Sequence, residues 1–125
     1  MNYREKRIEK RFNLLRSNKE KGLITFVTAG DPNYNTSLRI IKNLPSAGAD
    51  FIEIGMPFTD PMADGVGIQA SYLRSLKSGQ TLSKTLKMVN DFRKIDNDTP
   101  VILIQYMFMG YVILLKNQKI QEWTD

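Results

Sequence analysis

Residues 51–69 read FIEIGMPFTDPMADGVGIQ. The first five, Phe51–Gly55, form a short run of β-formers and read as a strand, with Glu53 in its middle. Met56–Val66, with two prolines and one glycine, reads as a loop. An ionisable group in so apolar a strand is costly to bury unless it is paired or functional. Asp60 and Asp64 follow in the loop, so two more carboxylates lie within eleven residues of Glu53. Carboxylates in unlike environments have separated pKa values, which suits proton transfer. Plainer readings stand beside this one. Glu53 could be a structural carboxylate paired with a distant Lys or Arg. Asp60 and Asp64 could shape turns before Pro61 and Gly65, and Asp60, directly before proline, looks the more like a turn former.

Outward from this stretch, the flanking segments alternate between strands and helices. Upstream, Leu23–Thr28 (LITFVT) reads as a buried strand, and a helix from about Asn35 to Ala47 follows the turn AGDPN. Leu38, Ile41 and Leu44 share one face of that helix, with Ile40 beside it, and Gly48 supplies the stop. Further upstream, residues 4–19 form an amphipathic helix, with Ile8, Phe12 and Leu15 at helical spacing and Gly22 ending it. Downstream, Ile68–Leu76 reads as a short helix with Ile68, Leu73 and Leu76 inward. Thr81–Lys94 reads as another, burying Leu82, Leu86, Val89 and Phe92. Thr99–Pro100 introduces a third strand, Val101–Tyr106. Short apolar strands alternating with amphipathic helices imply an α/β protein with parallel strands and right-handed crossovers. A doubly wound sheet and a (β/α)8 barrel both fit three such strands.

Composition excludes several chemistries. The 125 residues are 42% hydrophobic and 25% charged, a globular balance rather than a disordered one. Cysteine and histidine are both absent, which removes disulfides, thiolate and imidazole metal sites, and His-based triads. Acid–base work must therefore fall to carboxylates, Lys or Tyr. No apolar run is long enough to span a membrane, and the N-terminus lacks the apolar core of a signal peptide. A cytoplasmic protein is the expectation. The net charge of +5 sits wholly in residues 1–22, where eight Lys/Arg face three Asp/Glu; residues 23–125 hold ten of each. The mixed signs favour the solvated face of a helix over a nucleic-acid arm.

The pattern Glu53, Gly55, Pro57, Phe58, Thr59, Asp60, Pro61, Ala63, Asp64, Gly65, Ile68, Gln69 resembles the signature of tryptophan synthase alpha chains. Phe26–Pro32 (FVTAGDP) resembles the family's first strand and turn, Ala47–Asp50 (AGAD) its approach to the second strand, and Asp98–Val101 (DTPV) its entry to the third. The resemblance covers about residues 4–106. It implies a partial TIM (β/α)8 barrel, with an N-terminal helix and about the first three β/α units in residues 1–106, followed by an off-pattern tail, 107–125.

The resemblance also implies a function: retro-aldol cleavage of indole-3-glycerol phosphate to indole and glyceraldehyde 3-phosphate, in tryptophan biosynthesis. Glu53 matches the general acid–base, and Asp64 the carboxylate that steadies the indole N–H as charge develops on the ring. Phe26 and Tyr106 match substrate-contacting residues; Phe26 is equally compatible with plain core packing. Pro57, Asp60 and Pro61 match the loop facing the partner beta chain, in an alpha2-beta2 type complex. The step needs no metal and no cofactor of its own, since pyridoxal phosphate belongs to the beta chain. A fragment of this kind is expected to be inactive alone. The alternative is a non-catalytic module docking on the beta chain.

Three departures from the family pattern stand out. Val66 takes the place of a usual proline and Gly67 that of a small non-glycine residue, which loosens the start of the next helix. After about Ile104 the chain reads QYMFMGYVILLKNQKIQEWTD, so Tyr111 competes with Tyr106 for the substrate-contacting position. The expectation is that this tail is out of register, through a frameshift or a premature end. Finally, barrels acting on phosphorylated substrates commonly hold the phosphate after strands 7 and 8, and no Gly-rich phosphate loop occurs in this sequence.

Overall fold

A computed structural model describes residues 6–57 and 64–105. Its elements are α1 (Arg7–Asn18), β1 (Ile24–Thr28), α2 (Tyr34–Asn43), β2 (Phe51–Gly55), α3 (Val66–Lys77), α4 (Leu82–Arg93) and β3 (Val101–Ile104). The three strands form one parallel sheet in the order β1-β2-β3. This is the α/β arrangement expected, with all three strands parallel. Tyr106 and the tail 107–125 lie outside the described residues, as do Asp60 and Pro61.

Register divides the sheet into two unlike faces. Val27, Ile54 and Leu103 are in line across it, as are Thr25, Ile52 and Val101. This face packs under α2 and α4, and Ile41, Ile52, Ile54, Met88, Val89 and Phe92 are fully buried there. The opposite face carries Phe26, Glu53 and Ile102 in line, with Ile24 beside Phe51. Ile24 is 53% exposed there. Such alternation follows from the two-residue period of a strand.

The helices meet expectation in part: α2 buries Ile41 and α4 buries Val89 and Phe92, but Leu82 and Leu73 do not turn inward. Asn33 and Thr81 cap α2 and α4 by accepting from the amides of Thr36 and Lys84. In α4 the buried residues are Thr85, Met88, Val89 and Phe92, while Leu82 stays exposed. In α3 they are Ser71, Tyr72 and Ser75, while Leu73 is exposed. In α3 the reason is polar. The turn after β1 presents carbonyl groups that apolar side chains would leave unpaired, and serines satisfy them. Ser75 Oγ donates to the carbonyl of Ala29, Ser78 Oγ donates to that of Gly30, and Thr28 and Ser71 share a hydroxyl hydrogen bond of 2.6 Å. Arg74 grips Asp31 with two hydrogen bonds, 2.8 and 3.0 Å.

α1 crosses the N-terminal end of the sheet. Leu15 is its buried residue, and Phe12 stacks at 4.8 Å on Phe51 while remaining half exposed. The helix ends at Lys19 in the left-handed region, before the expected Gly22. Gly22 serves instead as a close approach: a Cβ there would lie 3.0 Å from Leu15 Cδ1 and 3.3 Å from Phe51 Cε2. The basic face of α1 is not simply solvated. Arg7 donates to the Asn97 carbonyl and side chain, Lys10 faces Asp98, and Arg11 faces Asp50. Each of these partners stands just ahead of a strand.

Candidate active site

Glu53 is the third residue of β2, flanked by Phe26 of β1 and Ile102 of β3 on the face that α2 and α4 do not cover. It is half-buried, and its carboxylate makes no hydrogen bond or ion pair among the described residues. The reading of Glu53 as a structural carboxylate paired with a distant cation therefore finds no partner there. Phe26 is 37% exposed beside it.

Gly55, two residues on, faces the same way, and its lack of a side chain matters. A Cβ at Gly55 would fall 2.5 Å from Phe26 Cζ and 3.2 Å from the Tyr72 hydroxyl. Any side chain at Gly55 would have to displace the Phe26 ring. Gly55 thus seats the Phe26 ring and brings buried Tyr72 of α3 to the C-terminal end of β2. Sequence reasoning missed Tyr72. Its one signal was a large side chain among small ones in Ala70-Ser71-Tyr72.

Asp64 stands where the chain returns from the β2 loop to α3. Its carbonyl accepts from Gln69 Nε2 at 2.6 Å, which closes the first turn of the helix. Its carboxylate oxygen Oδ2 is buried with no hydrogen-bond partner among the described residues. A buried acceptor without a donor carries an unmet desolvation cost and marks a place where a ligand donor would be stabilising. The half-buried Pro57 follows β2, and Val66 and Gly67 open α3 on the exposed side.

A cavity of about 300 Å3 adjoins Phe26 at the end of β1, lined also by Thr28, Asp31, Ile40, Gly67, Ile68 and Ser71. Glu53 and Asp64 are not among its lining residues. Phe26 therefore borders both this cavity and the face that bears Glu53. Among the described residues no group of three Asp or Glu is placed to hold a metal ion.

A parallel α/β sheet with Glu53 on its open face and Asp64 beyond the C-terminal end of the same strand defines the class: an α/β segment with candidate functional groups on the side where such folds carry them. The sequence profile of the family described as tryptophan synthase alpha chain matches residues 12–118. The chain belongs to that family. Solved structures agree. Tryptophan synthase subunit alpha from Legionella pneumophila str. Paris is 41% identical, with a TM-score of 0.80, over 82% of this chain and 39% of that one. The alpha chain from Legionella pneumophila subsp. pneumophila is 35% identical, with a TM-score of 0.86, over 97% of this chain and 46% of that one. An open form of tryptophan synthase from M. tuberculosis is 27% identical, with a TM-score of 0.72, over 80% and 39% of the two chains. The three-stranded sheet and its helices are thus part of a TIM barrel, and the chain spans less than half the length of these relatives.

Proposed function

We propose that this chain supplies the carboxylate end of a lyase site that cleaves indole-3-glycerol phosphate to indole and glyceraldehyde 3-phosphate. The single observation behind this reading is a pair of carboxylates without partners among the described residues: Glu53 on its strand, and Asp64 with a buried oxygen that accepts no hydrogen bond there. In the reaction, Glu53 protonates indole C3 and takes the proton from the glycerol hydroxyl beside the breaking bond. That hydroxyl carbon becomes the aldehyde, and the bond's electron pair returns to the indole ring. Asp64 accepts the indole N–H and holds the ring as it turns positive, which is electrostatic stabilisation of a developing charge. Phe26 contributes an apolar wall. The step draws on no metal or cofactor.

Phosphate binding falls to parts of the barrel beyond β1–β3, so the 125 residues alone are expected to turn over poorly. The partner in this reading is the beta chain, contacted through the loop at Pro57, Asp60 and Pro61, and the setting is cytoplasmic. Among the described residues no helix is long and apolar enough to cross a membrane.

Indole release, followed with and without added beta chain, tests the reading. Glu53→Gln is expected to lower whatever turnover is measured by roughly 100-fold or more, the usual loss for a general acid–base. Turnover that survives Glu53→Gln unchanged removes Glu53 from the mechanism. Binding to the beta chain with no turnover under any condition would reduce the chain to a docking module.

A further inference from the structure

The N-terminal end of the sheet lies opposite the carboxylates, and the proposed reaction does not use it. Arg7, Lys10 and Arg11 of α1 line a cleft of about 270 Å3 there, with Leu14 and Asp98. Their i, i+3, i+4 spacing places all three on one helix face. Arg7 is firmly held, donating to the Asn97 carbonyl at 2.7 Å and to its side chain at 2.8 Å, whereas Lys10 and Arg11 are weakly paired. Lys10 meets Asp98, and Arg11 meets Asp50, at 3.4 Å in each case, well beyond the 2.7–2.9 Å of a good charge-assisted hydrogen bond. Asp98 is 75% exposed, so it can turn to water at little cost.

A second observation lies behind the cleft. Arg7 Nη1 is buried without a partner among the described residues, and so are Arg93 Nε and Nη2. Arg93 spends only Nη1, on the carbonyls of Thr99 at 2.6 Å and Asp96 at 3.3 Å. Burial first, then the neighbouring Arg7 charge, pulls the Arg93 guanidinium down to about 10. Asp96 does not offset this by contact. Its carboxylate is taken by the Asp98 and Thr99 amides and the Thr99 hydroxyl. The buried donors face away from solvent, so they act on the cleft through charge rather than contact.

We propose that this cleft is an oxyanion site. It takes a compact anion of the phosphate class on Lys10 and Arg11, with the cleft-lining Arg7 and, behind it, the buried Arg93 adding positive potential and Leu14 as the apolar wall. Lys10 and Arg11 then exchange their long contacts for short charge-assisted ones.

The test is a titration of the 15N-labelled 125-residue chain with inorganic phosphate, sodium chloride holding the ionic strength constant. Saturable shifts are expected at the amides of residues 7–14 and 97–98 and at the arginine Nε–H signals. A Lys10→Gln, Arg11→Gln double variant, its fold checked by circular dichroism, should weaken the affinity by roughly tenfold or more, the value of a lost charged contact. If the double variant fails to fold, Lys10→Gln alone should still weaken binding, because its lost contact is exposed. Shifts that never saturate, shifts centred outside α1 and the α4–β3 turn, or undiminished affinity in the folded variants would each overturn the proposal.

Discussion

The two faces of one small sheet obey different rules. On one side Ile52, Ile54 and Val101 are sealed under α2 and α4, with at most 2% exposure. On the other, past the Phe51 that α1 covers, Ile24 is half exposed, Phe26 is 37% exposed, and the Glu53 carboxylate has no partner among the described residues. Neighbouring residues of β2 therefore serve opposite ends. Ile52 and Ile54 hold the fold together by burial. Glu53, between them, adds nothing to that core and keeps its carboxylate available. From Ile52 to Ile54, burial and an available carboxylate alternate residue by residue with the pleat, while Phe51, on the face of Glu53, is sealed separately by α1.

The largest effect should come from breaking the sealed face. Ile54→Ala removes a fully buried side chain and leaves a cavity under α2 and α4, at a cost of about 2–5 kcal/mol. Phe26→Ala removes a larger side chain from the open face and should cost clearly less, because its ring is already 37% exposed. Urea unfolding of the two variants gives the contrast directly. Equal losses would mean that the faces are not energetically distinct. A smaller effect belongs to the joint between them. Thr28→Val keeps the shape but takes away the hydroxyl that meets Ser71 at 2.6 Å. The expected loss is about 1–2 kcal/mol in the same experiment, since Ser71 retains its bond to the Ile68 carbonyl. Thr28→Ser, which keeps the hydroxyl, should recover the hydrogen-bond share of that loss.

Much of this division was legible in the sequence, for local reasons. Leu23–Thr28, Phe51–Gly55 and Val101–Tyr106 announce themselves as short apolar runs bounded by turn formers, and strands form within all three. Glu53 announces itself because a carboxylate in such a run needs an explanation. What was not legible depends on distant partners. Helical periodicity pointed Leu73 of α3 inward, but the Thr28 hydroxyl and the Ala29 carbonyl select Ser71 and Ser75 instead. The basic residues of α1 read as a solvated face, yet Arg7 and Arg11 find partners 90 and 39 residues away, at the starts of β3 and β2. The buried free oxygen of Asp64 was equally out of reach, because it depends on how the loop folds back onto α3.

The smallest expected effect concerns that return. α3 begins with Gly65 as its N-cap, in extended conformation at φ −67 and ψ 165, and no side chain caps it. Val66 is then the first helical residue, 83% exposed, and its amide is one of the donors a helix start leaves free in any case. Proline suits this position: its φ is preset for the helix, it forfeits no hydrogen bond, and the residue before it is already extended, as proline requires. Val66→Pro should therefore stabilise the chain by about 0.4–1 kcal/mol, through loss of freedom in the unfolded state. The midpoint of urea unfolding should rise with an unchanged slope. A destabilised Val66→Pro variant would show that the Val66 amide is engaged after all, and that the approach from Asp64 into α3 is tighter than its exposure implies.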